Sequence, residues 1–314
     1  MPIIERLLEP DTAGDPMTGL RWMRKTTANV ATQLTRLGIA VSPRTVARLL
    51  RKLKFSLRVN RKKLGAKHPD RDQQFRNIAA LRRRFGRRHY PIISVDAKKR
   101  ELVGNFKNAG AKWDRLPTSV NDHDFRSQAT GVAILYGVYD LQANRGAMFV
   151  GVSHETSAFA ANSIRSWWQQ QGRRCYPQAQ HVLILADTGG SNAAARGAWK
   201  DQLQQQLCDR YGLTVTVAHY PTGASKYNPI ERRLFSRITH NWAGEPLVSH
   251  EKILKFIRTT RSSTGLRVTA RLDPRQYPVG QKPSAARLRP LNITRAKFAP
   301  RWNYTIKPSN RTVK

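Results

Sequence analysis

Apolar residues recur at helical spacing in two short stretches near the start of the chain. Val30, Ala31, Leu34 and Leu37 share one face of a helix that Thr26 or Thr27 can cap and Gly38 can end. After Ile39 to Val41, Ser42 followed by Pro43 supplies an N-cap and a first-turn proline for a second helix, striped by Val46, Leu49, Leu50 and Leu53. Arg44, Arg48, Arg51 and Lys52 are left to point outward. Helix, tight turn and helix with a basic outer face is the helix-turn-helix pattern, shared with any small helical hairpin.

From Pro91 the period changes. Ile92, Ile93 and Val95 predict a strand ending at Asp96, and Leu102 to Phe106 reads as a second. Val132 to Tyr139 and Ala147 to Val152 follow, joined by a hairpin loop that contains Asp140. Thr156 begins a helix with Phe159, Ile164, Trp167 and Trp168 inward. The strand His181 to Ala186 ends at Asp187 and the turn Thr188-Gly189-Gly190-Ser191-Asn192. A helix through Trp199, Leu203 and Leu207 leads to the strand Leu213 to His219, then a loop, then a helix opened by Pro229-Ile230-Glu231. Strands first, then helix, strand, helix, strand, helix, is the order of an α/β ribonuclease H-like core: a mixed five-stranded sheet flanked by helices. The boundaries expected are a helix-turn-helix region over 1–57, a basic linker over 58–90, the α/β core over 91–260 and a basic extension over 261–314.

Charge changes the picture more than composition does. The 314 residues carry 56 Lys+Arg against 20 Asp+Glu, a net charge of +36, yet 39% are hydrophobic. That is too apolar for a disordered basic tail and too basic for an ordinary metabolic enzyme. Between Arg51 and Tyr90 there are 15 basic residues and two acids; from Gly265 to Lys314 there are 12 and one. Such an excess calls for a polyanion, and nucleic acid is the expected counter-charge because each neutralised phosphate releases counterions; with the helix-turn-helix pattern, the expected partner is double-stranded DNA. The second helix, with Arg44, Arg48, Arg51 and Lys52, is the element expected in a major groove. Arg82, Arg83, Arg84, Arg87 and Arg88 are candidates for phosphate contacts. Cys175 and Cys208 lack the spacing of a zinc site or a disulfide framework. No apolar run is long enough to span a bilayer, and the acidic start is unlike a signal peptide, so a cytoplasmic, DNA-associated protein without a membrane partner is expected.

The few acids matter most where they meet. In a ribonuclease H-like sheet the strands ending at Asp96 and Asp187 are neighbours, and Glu231 in the first turn of the last helix can lean over the same edge. Three convergent carboxylates repel one another unless a cation lies among them. Oxygen-only ligands suit Mg²⁺ or Mn²⁺, and two such ions clamp the attacking and leaving oxygens of a phosphoryl transfer. Each acid also has a plainer role: turn former, helix cap or partner of the helix dipole. Asp140 reads first as a hairpin residue, and His154 and His219 as core or surface histidines.

The segments IISVDAKKRELVGNFKN, LYGVYDL, FAANSIRSWW, LILADTGGSN, SKYNPIERRLFSRITHNWAGEPLVSHE and RWNYTI resemble the bacterial insertion-sequence DDE transposases of the ISAzo-thirteen, or Rhodopirellula-type, family. The likeness runs from about Leu20 to Ile306. It implies that Asp96, Asp187 and Glu231 form the catalytic metal triad, and that strand cleavage at transposon ends is followed by joining of a 3′ hydroxyl to target DNA. Ala97 stands where the family pattern has threonine, and Thr188 where it has glycine. The resemblance also implies a further helical segment ahead of the turn-rich stretch near Pro10, so a shortened N-terminus is expected. Lys98, Lys99, Asn192, Lys226 and Asn228 are candidate DNA contacts, the last two equally loop-forming residues. A homo-oligomer on DNA follows from the need to hold two ends. The alternative is a non-catalytic DNA-binding protein, a decayed transposase or its repressor.

Overall fold

The computed structural model describes residues 12–14, 21–23, 26–53, 55 and 68–309, and residues 1–64 and 65–314 form separate units. In the first, β1 (Thr12–Gly14) pairs antiparallel with β2 (Arg21–Met23). Two capped helices follow. The Thr26 side chain accepts the Asn29 N–H ahead of α1 (Thr27–Arg36), and Ser42 accepts the Thr45 N–H at 3.1 Å ahead of α2 (Pro43–Lys52). Gly38 between them has φ +80°, a conformation that costs glycine little. Val30, Ala31, Leu34, Val46 and Leu50 are buried together, which leaves Arg44, Arg48, Arg51 and Lys52 exposed. The apolar stripes read from the sequence are the faces that pack, except for Leu37, which is exposed at the end of its helix.

The second unit is an eight-stranded mixed sheet in the order β8-β5-β4-β3-β6-β7-β10-β9. Its centre is β3 (Ile92–Val103), antiparallel to β4 (Gly131–Asp140) and parallel to β6 (His181–Ala186). β5 (Arg145–Gly151) lies beyond β4, and β7 (Thr214–His219) lies parallel to β6. The runs at 92–95 and 102–106 that read as two strands belong largely to one. The polar residues between them bulge at Lys98 to Glu101 without ending the pairing with β4.

The sheet has eight strands rather than five because the stretch read as a basic extension completes both edges. β8 (Arg267–Asp273) adds parallel to β5, while β10 (Asn303–Ile306) pairs with β7 and β9 (Ile293–Arg295) with β10. The part of the basic linker from Arg71 to Arg87 is α3, whose Ile78 and Phe85 pack on Ile92, Leu183, Leu185 and Ala218. Residues 58–67 of that stretch lie outside the described residues.

Layers cover both faces of the sheet. On one, α4 (Ser157–Trp167) and α5 (Gly197–Leu203) bring Phe159, Ile164, Trp167 and Trp199 against Ile93, Val95, Tyr136, Ile184 and Val215. On the other, a π-helical turn, Glu231–Phe235, runs into α6 (Ser236–Asn241) beside α7 (His250–Thr259). Ile230, Leu234, Phe235, Ile253 and Ile257 there meet Leu135, Tyr139, Met148 and Val150. Among the described residues, no helix is long and apolar enough to cross a membrane.

Candidate active site

Asp96 lies within β3 rather than at its end. What ends is the neighbour: the parallel register pairs Val95 with Ala186, so one step further Asp96 and Asp187 stand abreast on strands about 4.8 Å apart. Strand alternation puts Asp96 on the same face as Ser94, the face that carries the helix of Glu231. Gly137 is the cross-strand partner of Asp96, and a Cβ there would lie 2.6 Å from Phe235 and 2.8 Å from Ile230. The missing side chain lets that helix come down close to Asp96.

The loop before Glu231 is bolted to the strand. Ser94 Oγ and Asn228 Oδ1 form a short hydrogen bond, and the Ile230 N–H donates to Ser94 Oγ at 3.0 Å. The Asn228 amide donates to Asp187 Oδ1 at 3.1 Å and to the Val95 carbonyl at 3.3 Å. Asp187 is held from its other side by His219, whose Nδ1 is 2.8 Å from the Asp187 carbonyl oxygen and whose Nε2 is 3.1 Å from the Tyr304 hydroxyl. An N–H at Nδ1 facing that carbonyl leaves Nε2 to accept from Tyr304.

The electrostatics of the three acids agree with their crowding. Burial, then the charge of Asp187, pushes the Asp96 carboxyl up to about 8. Burial raises Asp187, against the Asn228 hydrogen bond, and burial and Asp187 raise Glu231, against Lys98. Each carboxylate is short of positive charge, as expected of ligands awaiting a cation. The donors are all oxygen, which fits Mg²⁺ or Mn²⁺ rather than zinc. Among the described residues, no group of three or more His, Cys, Asp or Glu side chains closes into a ready-made metal cage. The donor chemistry and the raised carboxyl pKa values fit a divalent ion.

Of the proposed DNA contacts near this site, Lys99 and Lys226 are exposed. Lys98 is pinned instead, its Nζ 2.7 Å from Glu101 Oε1 and 4.7 Å from the Trp242 ring centre. Asn192 and Asn228 are fully buried, so neither faces a duplex: packing of the two loops turned them inward. Asp140 closes its hairpin, accepting from the Gln142 and Ala143 N–H groups and from Tyr176.

Four residues went unnoticed in the sequence. Ser94, two positions before Asp96, was detectable as a polar residue inside an apolar strand. Glu155 accepts the Ser191 N–H at 3.0 Å, bracing the turn after Asp187, and its charge adds to the pressure on Asp96. The Tyr136 hydroxyl is buried without a hydrogen-bond partner among the described residues, and the charges of Asp96 and Glu155 act on it. Tyr304 is on a strand too short to read.

Residues 3–308 match the family model described as the Rhodopirellula transposase DDE domain. The chain belongs to that family. Membership bears out the resemblance drawn from the motifs around Asp96, Asp187 and Glu231, and makes this a DDE transposase domain by descent. No curated protein matches the chain. Among solved structures it is similar to a Mos1 transposase paired-end complex with the left transposon end, at 19% identity and TM-score 0.41. It is also similar to a pre-cleavage Mos1 transpososome, at 19% and 0.43, and to a Mos1 mariner paired-end complex with Mn, at 20% and 0.42. Each alignment covers 81% of this chain and 68% of the other.

Proposed function

We propose that this family member is a DNA transposase of an insertion sequence, cleaving and rejoining DNA strands at Asp96, Asp187 and Glu231 with Mg²⁺ or Mn²⁺. The observation that carries the reading is the β3–β6 register, which sets Asp96 beside Asp187 under the helix that begins at Glu231. The central strands β5-β4-β3-β6-β7 have the order of a ribonuclease H-like sheet.

Asp96, Asp187 and Glu231 would hold the ions. Bound there, the ions would supply Lewis-acid activation of the attacking oxygen and charge relief for the leaving one. The chain's own work is orientation. Asn228 and His219 fix the two ends of Asp187, Ser94 ties the Glu231 loop to β3, and Lys98 lies close enough to balance part of the charge on Glu231. Arg44, Arg48, Arg51 and Lys52 on α2 form the surface for reading terminal inverted repeats, and two ends held together call for a homo-oligomer on DNA. The protein then acts in the cytoplasm of its host, on DNA.

Nicking of a duplex that carries the element's end tests the reading. Wild-type protein should nick with Mg²⁺ or Mn²⁺ and stop in EDTA, and Asp96→Ala should bind the duplex without nicking it. Binding without nicking by the wild type would favour the non-catalytic DNA-binding protein.

A further inference from the structure

A cavity of about 420 Å³ opens between α3 and the helix that begins at Glu231. Arg82 enters from α3, Lys226 and Tyr227 from the loop, and Arg232 and Arg233 from the helix, beside Asn228. No Asp or Glu lines it. All four cations are exposed, and among the described residues none of them makes a salt bridge.

The cavity adjoins the carboxylates without overlapping them. Asn228, in its wall, is the residue that holds Asp187. Ser94, bonded to Asn228, precedes Asp96 by two residues, about 7 Å along the strand. Tyr227 is fixed at the rim, its ring edge-on to Phe75 at 5.1 Å, with the Arg71 guanidinium 5.5 Å and Lys226 Nζ 5.2 Å from its centre. Like charges gathered in one cavity repel until an anion enters. Four cations contributed by three elements, one from α3, one from the loop and two from the helix, suit a row of phosphates, spaced by about 3.4 Å of axis per strand, better than a single anion.

We propose that this cavity holds the sugar–phosphate backbone of a DNA strand next to the carboxylate site, with Arg82, Lys226, Arg232 and Arg233 on successive phosphates and Tyr227 against the sugar or an unpaired base. It rests on the reading of Asp96, Asp187 and Glu231 as a DNA-cleaving centre. It adds a strand path that the helix α2 surface and the basic C-terminal stretch do not provide.

Full-length protein carrying Asp96→Asn, so that no cleavage intervenes, is titrated by fluorescence anisotropy against a labelled 30-base-pair duplex with a single-stranded extension. Arg232→Gln with Arg233→Gln should weaken binding about tenfold at 0.15 M salt and lower the slope of log affinity against log salt by about two. The control pair Arg173→Gln with Arg174→Gln removes the same charge from another exposed segment and should change affinity no more than about threefold. Arg232→Lys with Arg233→Lys should retain most of the affinity. Equal losses in the two glutamine pairs would overturn the proposal by reducing the effect to net charge. An iodouracil-bearing strand should crosslink under ultraviolet light to the peptide containing Tyr227, and crosslinks confined to other peptides would likewise overturn it. Nicking is scored separately on the protein with Asp96 intact, so a failure of the cleavage reading shows as absent nicking with these binding differences unchanged.

Discussion

Replacing Asp96 with asparagine should stabilise the metal-free protein while abolishing any chemistry at the site. In the fold the carboxyl titrates near 8, against an ordinary 3.8. Between those values the folded protein holds a proton that the unfolded chain has released, so stability falls as pH rises from about 4 to about 8. At pH 7 the ordinary carboxyl would be ionised by more than three decades, and keeping Asp96 in its site costs on the order of 4 kcal/mol relative to a permanently neutral side chain. Asparagine removes that cost and keeps an oxygen to accept the Ala97 N–H, which now donates to Asp96 Oδ1 at 2.9 Å. Urea unfolding in EDTA, repeated from pH 5 to pH 9, should give a wild-type midpoint that declines with pH and an Asp96→Asn midpoint that declines less and lies higher at pH 8. Millimolar Mg²⁺ or Mn²⁺ should raise the wild-type midpoint at pH 8 more than the variant's, because the variant keeps Asp187 and Glu231 but lacks the third carboxylate. A variant no more stable than wild type at pH 8 in EDTA would refute the electrostatic account.

Gly137→Ala should cost about 1–3 kcal/mol in urea unfolding and reduce nicking, since its Cβ would press on Phe235 and Ile230 and lift the helix of Glu231. Asn228→Ala should lower nicking about 10–100-fold at fixed Mg²⁺ with partial recovery at higher metal, the behaviour expected when a ligand loses its orienting partner. Burial holds His219 near 4, below its ordinary 6.5. The unfolded chain therefore gains a proton first as pH falls, and stability is lost from about 6.5 down to about 4. His219→Gln should flatten that limb of the urea-midpoint profile. Tyr304→Phe leaves His219 Nε2 buried without its partner and should cost about 1–3 kcal/mol in the same assay.

How much of this was legible depends on what each segment shows to a periodicity reading. Most strands of the central sheet were legible because apolar runs stand out in a polar chain, although the polar residues after Asp96 read as a turn where β3 in fact continues to Val103. The stretch of α3 read as a basic, partly helical linker; what its run of Arg82, Arg83 and Arg84 hid was that Phe75, Ile78 and Phe85 pack it onto the sheet. β9 and β10 are three and four residues long, too short for alternation to register, and they are strands because β7 offers an open edge. Asn192, taken as a DNA contact, and Asn228, taken equally as a DNA contact or a loop former, are both buried, because an asparagine in a loop looks solvated until the fold shows what it bonds to. Sequence spacing alone does not distinguish a side chain that touches DNA from one that steadies its neighbour.

The order of synthesis gives the β7–β10 pairing a further meaning. Asp187 leans on His219, His219 leans on Tyr304, and Tyr304 lies 85 positions after His219. A growing polypeptide will have made all three acids long before it makes the tyrosine that steadies one of them. The brace on Asp187 is thus complete only after β10 has followed the acids off the ribosome, and an abortive product that stops short of β10 would carry the acids without it.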